Sequence, residues 1–190
     1  MYQKYNTEGL VLGSRERGEA DRVYSLYTRD FGLVTARASA VRRESSRMRY
    51  ALQNYSASSI SLVKGTRGWR VAGAAAEVTP IEKNQKGIAA FARIALLVTR
   101  FVAGEEAHEY LFATLSSAHD ALIQEGSDAE IIEILSVARV LYALGYLSVE
   151  GLDTELFTHT DYAAKFVAEA SALKDDLLTR INNALTETHL

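Results

Sequence analysis

The sequence predicts an α+β chain, a five-stranded β half followed by an α-helical half, and three observations predict it. Through residue 78, short apolar or alternating runs are separated by Gly and Asp turn signals, the pattern of strands. After Thr79, apolar residues recur at helical spacing. The charge divides at the same place. Residues 1–80 hold 13 Lys+Arg against 7 Asp+Glu, a balance of +6, whereas residues 81–190 hold 8 against 17, a balance of −9. A basic half attracts phosphates and an acidic half repels them, so two domains with different electrostatic roles are expected, 1–78 and 79–190.

In the first half, Glu8 to Ser14 reads as strand one, Asp21 to Thr28 as strand two and Phe31 to Ala40 as strand three. Arg29-Asp30-Phe31-Gly32 reads as a tight turn in which Gly32 takes a positive φ. Ser46 to Asn54 reads as a short helix, Tyr55 to Val63 as strand four and Trp69 to Val78 as strand five, with Gly65-Thr66-Arg67-Gly68 turning between them. Three strands, a short helix and two more strands is the element order of a small OB-type barrel, whose closure removes exposed strand edges.

In the second half, Thr79-Pro80-Ile81-Glu82 has the composition of a helix start, with a capping residue, a proline at the first helical position and a capping-box glutamate. Phe91, Ile94, Val98 and Phe101 mark its apolar face, and Gly104 ends or kinks it. A second helix is expected over Glu105–Glu125. A third opens at Ser127 with a Ser127–Glu130 capping pattern and stops near Gly145. Residues 146–160 read as loop, and one long or two short helices fill 161–187.

The chain has 190 residues, 48% of them apolar, enough for a core. It has no cysteine, which removes disulfides and thiolate metal sites and suits a reducing cytoplasm. Its N-terminal residues do not read as a signal peptide, and the longest apolar stretch, Ile94 to Val98, is far short of a membrane span. A cytoplasmic protein without membrane contact is expected.

Catalytic groups are sparse, and no enzyme activity is expected. His108, His119, His159 and His189 are scattered, and His108 and His119 stand roughly 16 Å apart by helical rise, too far for one metal. They read as solvated helix histidines. Glu105, Glu106 and Glu109 read as acids favoured by a helix N-terminus. No phosphate-cradling glycine motif or nucleophile elbow is present. No cofactor and no metal are expected.

Phosphate binding has more support. Arg37, Arg42, Arg43, Arg47 and Arg49 lie within thirteen residues, opposed by Glu44 alone. Lys64, Arg67 and Arg70 form a second basic group around Trp69. Guanidinium forks suit phosphate oxygens and stack on bases. Tyr50, Tyr55 and Trp69 are interleaved with these charges. A basic groove with stacking rings is what sequence-tolerant binding of single strands requires. The competing readings are a solvated arginine loop and aromatic rings that fill the barrel.

Several segments carry a family resemblance. Thr7-Glu8-Gly9-Leu10-Val11-Leu12, Gly18-Glu19-Ala20-Asp21-Arg22-Val23, Tyr27-Thr28-Arg29-Asp30-Phe31-Gly32, Val41-Arg42-Arg43 and Leu52-Gln53-Asn54-Tyr55 resemble, in order and spacing over 7–78, the bacterial RecO recombination-mediator family. The likeness over 81–145 is looser and ends in Leu141-Tyr142-Ala143-Leu144-Gly145-Tyr146. The resemblance implies an OB-fold with a helical domain behind it. It also implies binding of single-stranded DNA, with double-stranded DNA left open, strand annealing in DNA repair at the nucleoid, action with RecR to load recombinase, and contact with the C-terminal tail of single-strand-binding protein. That acidic tail needs a cation beside an apolar pocket, for which Arg93, Arg100 and Arg139 are the candidates, with Leu97, Phe101 and Tyr142 lining it. Two features depart from the family. Ser39-Ala40 stands where members often carry Lys-Gly, and residues 146–160 lack the cysteines of a zinc element. Two alternatives stay open, a helical protein-interaction adaptor and an OB-fold RNA binder.

Overall fold

A computed structural model of the chain describes residues 3–78, 84–152 and 154–188. Contacts divide it into two compact units, residues 1–80 with 99–108, and residues 81–98 with 109–190.

The first unit is a closed barrel of β1 (Lys4–Arg17), β2 (Asp21–Thr28), β3 (Gly32–Ala38), β4 (Ala57–Gly65) and β5 (Gly68–Val78), in the order β1-β2-β3-β5-β4. The expected OB-type architecture is borne out. β1 runs longer than its expected span at both ends: Lys4 to Thr7 pair with β4, and the polar Arg15-Glu16-Arg17 continues the ladder to Arg17↔Asp21 before the chain turns at Gly18. A register shift between Val11 and Gly13 bends this strand, so its first half pairs with β4 and its second with β2. The parallel pairs Ala36↔Trp69 and Arg37↔Arg70 close the barrel.

Gly32 turns β2 into β3 with φ 60°, as expected. A Cβ there would also stand 2.1 Å from the Glu106 carbonyl oxygen, so close backbone approach adds a second demand for glycine. The short helix α1 covers Met48–Ala51 rather than Ser46–Asn54. A turn in which the Ser46 amide donates to the Arg43 carbonyl precedes it, and Tyr55, at φ 67°, follows it and donates its amide to Val11 at 2.7 Å. Val41 and Leu52, on either side of α1, join Val11, Leu26, Val34, Ile60 and Leu62 in the barrel core. Each such buried aliphatic side chain contributes roughly 1.5–3 kcal/mol.

The helical region comprises α2 (Gln85–Phe101), α3 (Glu109–Ile123), α4 (Ala129–Ala143), α5 (Glu155–Thr158), α6 (Ala164–Ala172) and α7 (Lys174–Glu187). In the second unit α4 is the central element. It packs on α3, α6 and α7 and buries Ile131, Leu135, Ala138 and Leu141. The Asn84 side chain accepts from the Gly87 amide at 3.0 Å and donates to the Leu122 carbonyl at 2.9 Å, capping α2 and tying it to α3. The expected start at Thr79-Pro80-Ile81-Glu82 lies outside the described residues.

Four expectations need correction. α3 opens at Glu109, not Glu105, because Gly104 takes φ 88° and the Glu105 carboxylate turns to Lys64. Asp128, not Ser127, caps α4, accepting from the Ile131 amide at 3.2 Å. Residues 146–160 contain the helix α5. His119 is 1% exposed, its ring edge-on to Phe91 at 5.2 Å, so it is a core residue rather than a solvated one. His189 lies outside the described residues.

Candidate nucleic-acid interface

At one end of the barrel, four arginines from separate parts of the chain border one groove. Arg17 ends β1 and Arg37 lies near the end of β3. Arg70 is held beside Arg37 by the parallel β3–β5 pairing, and Arg67 sits in the β4–β5 turn. With Ser39 and the Thr66 turn they enclose about 520 Å³. Gly68, at φ 93°, makes that turn tight enough to set Arg67 and Arg70 on the rim. The Arg37 guanidinium is gripped by Asp21, with Nε donating at 2.9 Å. That contact fixes the guanidinium in place, and the surplus of cations leaves the groove positive.

The two basic groups expected from the sequence therefore meet only in part. Arg37 from the first joins Arg67 and Arg70 from the second. Arg42 and Arg49 border a different recess, and Arg42 contacts Glu16 at 3.2 Å and the Gly18 carbonyl at 3.3 Å. Arg43 and Arg47 are exposed on the loop before α1. Lys64 donates to Glu105 at 2.7 Å and lies over the Trp69 ring at 4.9 Å, so its charge is committed within the unit. Lys64 first, with the Trp69 indole adding to it, holds the Glu105 carboxyl below its usual range.

Trp69 borders the same groove but is only 5% exposed, because it packs into the barrel core against Tyr5 and Phe31 at 5.7 and 5.1 Å between ring centroids. Tyr55 is half-buried at its strained position. The ring available for stacking is Tyr50, 61% exposed, with the Arg49 guanidinium over it at 5.6 Å. Sequence reasoning missed Arg17 as a groove residue. Its signal was the alternation Arg15-Glu16-Arg17 running into the Gly18 turn, which extends strand one.

In the helical region the expected cations separate, Arg93 and Arg139 falling in the second unit and Arg100 in the first. Arg93 makes a bidentate pair with Glu133 at 2.5 Å. Arg139 is fully buried, donating to the carbonyls of Leu156 and Asp161 at 2.8 Å each, with its guanidinium over Tyr162 and Phe166. A cation enclosed in this way cannot stand at a pocket mouth: its Nε and Nη1 donate to interior carbonyls, rings lie under its faces, and its Nη2 is shut off from solvent without a hydrogen bond. Arg100 is exposed. Among the described residues, no group of three or more His, Asp or Glu is placed to hold a metal ion, and no helix is long and apolar enough to cross a membrane.

Comparison with known proteins agrees with the barrel. Residues 1–71 match the family model described as "Recombination protein O N terminal". The chain is 30% identical over 147 residues to the DNA repair protein RecO of Pelotomaculum thermopropionicum, covering 76% of this chain and 57% of that protein. It is 28% identical over 149 residues to RecO of Desulfitobacterium hafniense, covering 75% of this chain and 52% of that protein. A shorter segment of 52 residues is 46% identical to RecO of Rubrobacter xylanophilus, covering 27% of this chain and 21% of that protein. The chain thus spans about half the length of the first two relatives. The matched segment folds as a closed five-stranded barrel with helices following it, and over that segment the chain is similar to the RecO family of DNA repair proteins.

Proposed function

We propose that this chain is a DNA-repair and recombination mediator whose barrel holds single-stranded DNA. The observation that carries the reading is the groove of Arg17, Arg37, Arg67 and Arg70. It lies between the β1–β2 and β4–β5 turns, the side on which OB barrels take oligonucleotides. Phosphates run along the guanidinia, and Tyr50 offers a ring at the far end of the basic loop. No side chain in the groove is placed to read a base edge, so capture is sequence-tolerant. Bringing two complementary strands to one basic surface promotes annealing without covalent chemistry. In this reading the protein works in the cytoplasm at the nucleoid and acts with RecR to load recombinase.

The acidic helical domain, over 79–190, is the protein-binding part. With Arg93 paired and Arg139 buried, Arg100 is the cation we assign to the tail of single-strand-binding protein. Titration of a labelled single strand at several salt concentrations tests the DNA reading. Four phosphate contacts give a log–log slope near −3, at roughly −0.7 per contact. A slope near zero overturns it.

A further inference from the structure

A second recess lies on the barrel unit, away from the β4–β5 turn. It encloses about 300 Å³, the lower end of the range for small-molecule sites of roughly 300–1,000 Å³. Its floor is apolar: Tyr24, Val41 and Leu52 are each no more than 1% exposed as residues, yet their surfaces line it. Its rim is cationic, with Arg22, Arg42 and Arg49 converging from β2, from the loop after β3 and from α1. Burial pushes the Tyr24 phenol up, with Arg22 opposing it, so the phenol stays neutral and the floor carries no negative charge.

The carboxylate in this recess is informative. Glu16 Oε1 stands between two guanidinia, 3.2 Å from Arg42 and 3.6 Å from Arg22. It occupies the place an anionic oxygen takes between paired arginines. The Arg22 Nε is shut off from solvent and makes no hydrogen bond, a donor left over after Glu16 has taken its share. Gln53 also borders the recess, and its amide carries both a donor and an acceptor, the complement a base edge requires.

An apolar floor, an amide at the wall and a rim of arginines together fit a planar base joined to a phosphate. Residues 37 and 39 line the groove while 41 and 42 line the recess, so one chain segment borders both. We propose that this recess binds one unstacked nucleotide, its base against Tyr24, Val41 and Leu52 and its phosphate replacing Glu16 between Arg22 and Arg42, with Arg49 closing over it. The inference rests on the proposed DNA binding for its biological source, a nucleotide of the strand held in the groove, but the recess can be tested apart from it.

The test is amide NMR of the full chain titrated with a deoxynucleoside monophosphate, with the matching nucleoside and with inorganic phosphate, alongside a single-stranded oligonucleotide. The monophosphate is expected to shift resonances of residues 22–24, 41–42 and 49–53, and to bind about tenfold more tightly than nucleoside or phosphate alone, since losing either half removes a set of contacts. Arg49→Ala weakens the monophosphate about tenfold, and Glu16→Gln tightens it by removing the competing carboxylate. Inorganic phosphate binding as well as the monophosphate overturns the proposal in favour of a plain anion site. An oligonucleotide that binds while the monophosphate moves no recess resonance overturns the recess and leaves the groove standing. A monophosphate that binds the recess while no oligonucleotide binds supports the recess and overturns the DNA reading.

Discussion

The carboxylate of Asp21 is divided between Arg37 and Ala40: one oxygen grips the guanidinium, with Nε at 2.9 Å, and the other accepts the Ala40 amide at 2.8 Å. Through this one residue the start of β2 fixes a groove arginine and the first turn of the basic loop.

The first prediction is a pH effect of that arrangement. The Ala40 amide first, and the Arg37 guanidinium second, hold the Asp21 carboxyl below its usual value of 3.8. A carboxyl whose pKa is lower in the folded state stabilises the fold above its unfolded value and loses that stabilisation as pH falls through the folded one. Acid unfolding of the native chain should therefore include a component below pH 3.8 that Asp21→Asn lacks. Urea denaturation at neutral pH and across the acid limb measures it. Identical pH profiles for the two proteins, after allowing for their offset at neutral pH, would refute the assignment.

The second prediction concerns the neighbour that Asp21 holds. Ala40 has φ 55°, a left-handed conformation that costs an L-residue with a Cβ roughly 1–2 kcal/mol. Glycine adopts it without that cost but loses more entropy on folding. Ala40→Gly should therefore stabilise the barrel by about 0.5–1 kcal/mol, and Ala40→Val should destabilise it by about 1–2 kcal/mol. Chemical denaturation midpoints decide. Ala40 thus holds, under strain, a backbone conformation that glycine adopts freely.

Much of the barrel was legible because its signals are local. Gly32 and Gly68 mark turns that only a positive φ makes, and both expected turns are present. The ends of β2 were legible from the turn residues on either side, Gly18 before it and Asp30 and Gly32 after it, and not from alternation, since Val23, Tyr24, Leu26, Tyr27 and Thr28 are all buried. The misreadings are contacts between residues distant in sequence. Trp69 looks the same in a one-dimensional reading whether it faces solvent or the Tyr5–Phe31 cluster. Arg139 carries the charge of a surface residue, and only the fold of 154–162 around it reveals the carbonyls that bury it. The groove needed the β3–β5 pairing, which joins Arg37 to Arg70 across thirty-three positions.

Arg139 gives the third prediction. Its Nε and Nη1 each satisfy a carbonyl, and its ring contacts with Tyr162 and Phe166 fill the space between α4 and α6. Arg139→Ala leaves two buried acceptors and a cavity, each a named source of large losses, for a total of about 3–5 kcal/mol. Arg139→Lys keeps the charge but cannot reproduce the fork, and should recover only part of this. Thermal unfolding of the full chain reads both variants. A variant as stable as the parent would mean that Arg139 is dispensable to the core and that its place as a partner-facing cation should be reconsidered. Arg100→Ala, at an exposed site, should change stability by no more than about 0.5 kcal/mol.

The last prediction separates the groove from the rest of the basic loop. Arg67 and Arg70 are exposed on the groove rim, whereas Arg42 already contacts Glu16 and the Gly18 carbonyl. Replacing Arg67 and Arg70 together with alanine should weaken single-strand binding for every sequence and flatten the salt slope by about 1.4, two contacts at roughly −0.7 each. The fold should persist, since exposed substitutions of this kind stay within about 0.5 kcal/mol apiece. Replacing Arg42 and Arg43 together should flatten the slope less, because an incoming phosphate must first displace Glu16 from Arg42. Salt titrations of the two double variants, each checked for a native unfolding transition, rank the sites. If the Arg42–Arg43 variant loses more slope than the Arg67–Arg70 variant, DNA follows the loop before α1 and the groove is not its main track.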